Sequence, residues 1–240
     1  MKPILLLPFV LALPVFAGTS AKQVIAPPPA NPCLMSWFAG ASVGYLTELE
    51  EPMYNIHVGV TDSCWMIGGW NVGVFAEVGY TTKDEDYRPR DRDVGPPPVN
   101  IGKNNSISLD VDEMGQVLQY AADYFNVRTS YDLDIIPITL NVKFERALSG
   151  NLNAYIGGGL GVACVNLDLS GGGLSASDTD WVFVGQIFAG LSYSVSPAFE
   201  VYGGARWIYM SDADFSARGG SATLELGSDC LLELGARYTF

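Results

Sequence analysis

The sequence predicts an all-β protein, an eight-stranded antiparallel transmembrane up-and-down β-barrel with short periplasmic turns and a long extracellular loop 2. Three observations predict it. Apolar residues recur with period two in eight segments separated by turn residues, the spacing of strands whose side chains point alternately to opposite faces. The faces opposite those apolar sets carry Lys143, Arg206 and Arg237 in mid-strand, which reverses the polarity of a soluble sandwich and suits lipid outside with a polar lumen inside. Aromatic residues gather at the ends of the apolar sets, as in the girdles at the two interfaces of a membrane barrel.

The elements follow in chain order. Lys2, the apolar run from Ile4 to Phe16 and the small residues Ala17, Gly18, Ser20 and Ala21 read as a secretory signal over residues 1–21. Residues 22–35 include Ala26-Pro-Pro-Pro-Ala-Asn-Pro-Cys33 and read as a stiff periplasmic tether with no room for a helix. No later run of about 18 apolar residues suggests a transmembrane helix. Residues 36–240 are read as the barrel; the mature chain, about 220 residues, has the size of a single all-β domain.

The first strand, Ser36 to Leu46, sets Trp37, Ala39, Ala41, Val43 and Tyr45 against Gly40, Ser42 and Gly44; the second sets Tyr54, Ile56, Val58 and Val60 against Asn55 and His57. In the third, Val72, Val74, Ala76, Val78 and Tyr80 oppose Glu77 and Thr81. The fourth alternates most cleanly, with Ile136, Ile138, Leu140, Val142 and Phe144 against Thr139, Asn141, Lys143 and Glu145. The fifth, Ala154 to Asp168, places Gly157, Gly159 and Gly161 inward, leaving space for long side chains from the opposite wall. The sixth turns Trp181, Phe183, Ile187, Leu191 and Tyr193 outward and Gln186 inward; the seventh turns Val201, Ala205, Trp207 and Tyr209 outward and Glu200 and Arg206 inward. The last turns Leu232, Leu234, Ala236, Tyr238 and Phe240 outward and Glu233 and Arg237 inward. Short links at 147–151 and 195–198 face the periplasm, while the links after the third, fifth and seventh strands are long and face outside.

Residues 82–132 interrupt the pattern with about 50 residues, unusually long for an unstructured loop. They are expected to form an extended surface loop with a short helix, because Met114, Val117, Leu118, Ala121, Ala122 and Phe125 fall at helical spacing; Asp112 is the expected cap.

Eight strands enclose only enough room for side chains, so the lumen is expected to be plugged. Its candidate network is His57, Glu77, Asn141, Lys143, Glu145, Gln186, Glu200, Arg206, Glu233 and Arg237, since buried charges must be paired. An alternative is a narrow gated ion channel opened by re-pairing of Glu233, Arg206 and Arg237. A third reading is a lipid-modifying enzyme: a symmetric turn after the first strand puts Ser42 opposite His57, with Glu77 one strand further on. Because these residues face the lumen and not the bilayer, no catalysis is expected. The four cysteines have no short spacing and no histidine nearby, so no metal and no cofactor are expected. Cys33 and Cys64 fall at the periplasmic ends of neighbouring strands and are a candidate disulfide; Cys164 and Cys230 lie on strands that are not neighbours and are expected to stay unpaired. The net charge of -13 excludes nucleic acid as a partner. The surroundings expected are outer-membrane lipids and lipopolysaccharide, with a possible extracellular or envelope partner at residues 82–132, and a monomer is expected.

Ala154-Tyr-Ile-Gly-Gly-Gly-Leu-Gly, Phe188-Ala-Gly-Leu-Ser-Tyr-Ser-Val-Ser with Pro197, Glu200-Val-Tyr-Gly-Gly-Ala-Arg-Trp and Glu233-Leu-Gly-Ala-Arg-Tyr-Thr-Phe together resemble the eight-stranded outer-membrane barrels related to the transmembrane domain of outer membrane protein A and the opacity-type surface proteins. The resemblance implies residence in the bacterial outer membrane. It also implies that Tyr238 and Phe240 form the terminal signal read by the barrel assembly machinery. A structural or adhesive role is the expectation, with residues 82–132 as the working surface.

Overall fold

The computed structural model describes residues 33–90, 106–217 and 220–240. The signal at 1–21, most of the tether at 22–35 and the prolines at 96–98 lie outside the described residues. One closed barrel is formed by β1 (Met35–Leu46), β2 (Pro52–Ile67), β3 (Trp70–Tyr87), β5 (Thr129–Ser149), β6 (Leu152–Gly171), β7 (Leu174–Ser194), β8 (Phe199–Met210) and β11 (Gly227–Thr239). Each strand pairs antiparallel with its neighbour, and β1 with β11 closes the ring through Ala41↔Ala236. The barrel begins one residue earlier than the expected 36, because Met35 already belongs to β1 and pairs with Asp62.

The exterior of the ring is an apolar belt. On β3 it runs from Val72 to Tyr80 and on β5 from Ile136 to Phe144, close to the roughly 9–11 residues a tilted strand needs to cross a bilayer. Trp37 is 50% exposed, Leu140 63% and Leu234 71%, all on the outer face. A belt this continuous is stable only against hydrocarbon. Among the described residues no helix is long and apolar enough to cross a membrane.

Above the belt both faces invert. The paired row Thr82↔Asp134↔Asn166↔Thr179 crosses four strands on the exterior and marks the border. Beyond it Asp84, Asp86, Asp132 and Asp168 point outward. Leu133 and Leu167 beyond the row, and Ile135, Val165, Val182 and Val184 on its membrane side, point inward and are buried, so the inner face turns apolar before the outer face turns polar. The upper barrel is therefore built like a water-soluble protein. The expectation of one extended surface loop over 82–132 is corrected accordingly: β3 runs to Tyr87 and β5 starts at Thr129, and these two residues pair. The charge-dense run misled because Asp84 and Asp86 lie on the outer, wet face of a strand, while Glu85 turns inward beside Lys83 and Tyr87.

Three short strands and a helix complete the outer end: β4 (Ser106–Asp110), α1 (Val111–Phe125), β9 (Ala213–Ala217) and β10 (Gly220–Glu225). β10 sits between β4, parallel, and β9, antiparallel, so the links after β3 and after β8 share a sheet. Asp110 caps α1, not Asp112: its carboxylate accepts the Glu113 N–H at 2.7 Å, and Glu113 accepts the Asp110 N–H at 3.4 Å. Asp112 lies in the first turn, where its charge favours the helix dipole. Met114, Gly115 and Ala122 are the buried face; a Cβ at Gly115 would collide with the Tyr87 hydroxyl.

Candidate functional site

All ten residues of the expected network face the lumen, at two levels. Near the periplasmic end, the Glu145 carboxylate accepts from Lys143 Nζ at 2.6 Å, from Arg237 Nη2 at 2.6 Å and from the Ser192 hydroxyl at 2.9 Å. Arg237 also pairs with Glu200 at 2.7 Å. In mid-barrel, Arg206 lies between Glu77 and Glu233, 2.9 Å from the latter, and donates to Gln186 Oε1 at 3.0 Å. Gln186 Nε2 in turn donates to Asn141 at 2.6 Å and Thr139 at 3.1 Å. Two carboxylates around one guanidinium leave this layer with an excess negative charge, which the surrounding amides and hydroxyls share.

Between and around these levels lies an aromatic layer that the alternation pattern did not single out: Phe38, Phe75, Tyr155 and Phe188, with Tyr202 packed against them. Arg206 lies 5.4 Å over the Phe188 ring, and Lys143 and Arg237 lie about 5.5 Å over Phe38. Gly157 and Gly159 make the room. A Cβ at the first would strike Phe188, and at the second the Asn141 amide. The signal was legible as inward aromatics facing inward glycines, but period-two reading sorts residues by face and not by height.

His57 stands among Phe38, Phe75 and Tyr202 and opposite Gly40, not Ser42. The turn is centred one residue earlier than a Glu48–Glu51 turn would be: Tyr45 pairs with Pro52, the Leu46 N–H donates to the Glu51 carbonyl at 2.9 Å, and Glu50 closes the turn in the left-handed region at φ 57°, so the register differs by two residues from the expectation. Ser42 pairs with Asn55 instead; its hydroxyl donates to Glu233 at 3.3 Å and accepts from Asn55 at 3.3 Å. Glu77 is indeed opposite His57, but its carboxylate is taken by Arg206. The void lined by His57, Tyr155 and Arg206 is about 30 Å³, room for water only.

Among the described residues the outer half of the lumen is mainly apolar. Leu46, Leu49, Met53, Leu133, Ile135, Val165, Val184, Ile208 and Leu231 form one buried apolar cluster continuous with Met114, Phe215 and Leu224 of the outer elements. Leu49 belongs to the link between β1 and β2, which is folded over the mouth. Asp229 holds it there, accepting from the N–H groups of Thr47, Glu48 and Leu49 at 2.9 Å and from the Thr47 hydroxyl at 3.0 Å. Lys83 Nζ donates to the Leu49 carbonyl at 3.0 Å from the other side. Cys33 and Cys64 form a disulfide that joins the start of β1 to β2, and Cys164 and Cys230 are free thiols. Tyr238 ends the outward face of β11 and Phe240 follows the strand, its N–H donating to the Trp37 carbonyl at 2.8 Å; both side chains are exposed.

A closed barrel with an apolar belt, a paired polar lumen and a folded outer extension defines a membrane-spanning barrel of the outer-membrane type. Solved outer-membrane barrels are among the structures it is similar to. A major outer membrane protein from Thermus thermophilus matches at 14% identity over 86% of this chain and 100% of the other, with a TM-score of 0.54. The attachment invasion locus protein of Yersinia pestis matches at 15% over 86% and 97%, TM-score 0.43, and Neisserial surface protein A at 13% over 87% and 99%, TM-score 0.42. No protein-family model matches the chain, and no curated protein matches it. The likeness to the Thermus protein, at this identity, establishes the fold alone, that of an outer-membrane β-barrel.

Proposed function

We propose that the chain is a closed structural barrel of the bacterial outer membrane whose working part is its extracellular extension, in an adhesive or envelope-contact role. The apolar cluster that fills the outer half of the lumen carries this reading. A channel needs a continuous wet path, and re-pairing Arg206 among Glu77 and Glu233 would open one only as far as Ile135, Val184 and Leu231. An apolar constriction of that depth excludes water and ions. A hydrolytic role has no support from the local geometry, because the Ser42 hydroxyl is committed to Glu233 and Asn55 while His57 lies across from Gly40.

The extension has the attributes of a display surface. Its strands continue the rigid ring, its core is shared between α1, β9, β10 and the ring, and most of the chain's 26 acidic residues decorate it. The test keeps β3 and β5 intact and replaces residues 91–126 with a short Gly/Ser linker. The variant should still fold and insert, judged by heat-modifiable migration, while adherence of expressing cells to surfaces or to other cells falls. Unchanged adherence and envelope integrity would remove the surface role.

A further inference from the structure

Arg146 is out of place on its wall. On β5, β6, β7, β8 and β11 every outward residue between the border row and the periplasmic turns is uncharged except this one. It follows Phe144 in the outward set of β5, close to the turn into β6, and stands exposed at the rim of the periplasmic mouth. Among the described residues no ion pair or side-chain hydrogen bond engages it, and the lumen carboxylates of that level, Glu145 and Glu200, are taken by Lys143 and Arg237. Trp37, Tyr193 and Tyr238 are exposed at the same end of the barrel, which puts Arg146 at the height of lipid headgroups.

The register ties Arg146 to a groove. One row of paired residues, Arg146↔Ala154↔Leu191↔Gly203↔Leu234, crosses five strands on the outer face. Gly203 has no side chain, so the wall dips between Leu191 and Leu234. The dip is an apolar groove of about 470 Å³ lined by Leu152, Leu191, Tyr193, Val201, Gly203 and Leu234. A Cβ at Gly203 would already meet the Leu234 side chain at 2.7 Å. Three strand spacings of about 4.8 Å separate Arg146 from Gly203, roughly 14 Å, which is within the depth of about 15 Å that the hydrocarbon of one leaflet has. Arg146 is near the lower end of β5 and Leu234 is in the middle of β11, so the row climbs from headgroup level into the belt.

From this geometry we infer that the outer face of β5 to β8 and β11 holds one anionic glycerophospholipid of the periplasmic leaflet, its phosphate on Arg146 and an acyl chain in the groove at Gly203. The groove is continuous with the belt that hydrocarbon covers, so an acyl chain is the occupant already at hand. A guanidinium at a membrane surface is attracted to anionic lipid and can donate two parallel hydrogen bonds to a phosphate. On these strands no outward carboxylate below the border row receives the ammonium of a zwitterionic headgroup, which favours a headgroup of net negative charge. The site is independent of the outer extension and of its adhesive role.

The test uses the full chain folded in a non-ionic detergent, with phosphatidylglycerol, diacylglycerol and inorganic phosphate as probes, and native mass spectrometry to count what each chain retains. The wild type should retain one phosphatidylglycerol and hold it more tightly than diacylglycerol. Arg146→Gln should weaken phosphatidylglycerol about fivefold, the size expected for one cation at a lipid surface, and leave diacylglycerol unchanged. Arg146→Lys should keep the preference. Gly203→Leu, which fills the groove and changes no charge, should weaken both lipids. Arg146 has no partner in the fold, so its variants should stay folded, and heat-modifiable migration checks this for all three. Unchanged phosphatidylglycerol retention in folded Arg146→Gln would overturn the inference, and so would wild-type retention in folded Gly203→Leu. Displacement of the lipid by inorganic phosphate would reduce the site to an ion site, and a dimer in place of the lipid adduct would assign the groove to a second copy; either result sinks the lipid.

Discussion

Arg206 concentrates the barrel's energetics in one side chain. It is 4% exposed and flanked by Glu77 and Glu233, each also 4% exposed. Removing one partner of a buried pair strands the other, at a cost of about 3–5 kcal/mol, so Arg206→Ala should lower stability against urea in vesicles by that order. Combining it with Glu77→Gln and Glu233→Gln should recover part of the loss. Additive losses in the triple variant would show that the three do not act as a unit. Asp132 is the contrary case, an outward carboxylate directly across from both Asp84 and Asp168. Partial burial, and then the charges of Asp84, Asp134, Asp168 and Asp86, raise its pKa above the ordinary carboxylate value. A raised pKa means that the folded state binds the proton better than the unfolded one, so stability is highest below the ordinary carboxylate range and falls as pH rises through the shifted value. Asp132→Asn should therefore slow hydrogen exchange around β5 and β6 at neutral pH, and the gain should vanish in acid. A gain that persists at low pH would place the effect outside this carboxylate.

Among the elements, α1 tests the capping assignment. Asp110→Ala should cost about 1 kcal/mol of local stability, read as faster exchange of the first-turn amides, whereas Asp112→Ala should cost a few tenths. The reverse ranking would reinstate Asp112. The link over the mouth tests whether one side chain can fold a loop: Asp229→Ala removes the acceptor of four hydrogen bonds, so the residues 47–49 should exchange faster while the belt strands stay protected. These elements differ in how legible they were. The helical spacing of Met114, Leu118, Ala122 and Phe125 was readable because a periodicity needs only local residues. The cap was misplaced by two residues because Asp110 and Asp112 are chemically equivalent and only the last residue of β4 distinguishes them. The sheet of β4, β9 and β10 joins residues about a hundred positions apart, and no local pattern encodes that pairing.

For the whole molecule, period two was enough for the ring, the order of its strands and the inward set from His57 to Arg237, since side-chain alternation and antiparallel neighbours determine all three. Height along the barrel axis was not legible. The switch at Thr82, Asp134, Asn166 and Thr179 keeps the period and exchanges the faces, so a reading that expects lipid outside takes the acidic upper strands for loop. The register of His57 against Gly40 was likewise hidden, because it depends on whether the four-residue turn spans 47–50 or 48–51, and a shift of its centre by one residue moves the pairing by two. Once height is restored, the lumen becomes two paired polar levels beneath an apolar plug, and the plug decides between a structural barrel and a channel. Planar-bilayer recording of the folded full chain tests this most directly: the account predicts no steady openings at either polarity, whereas reproducible openings that Arg206→Ala abolishes would contradict it.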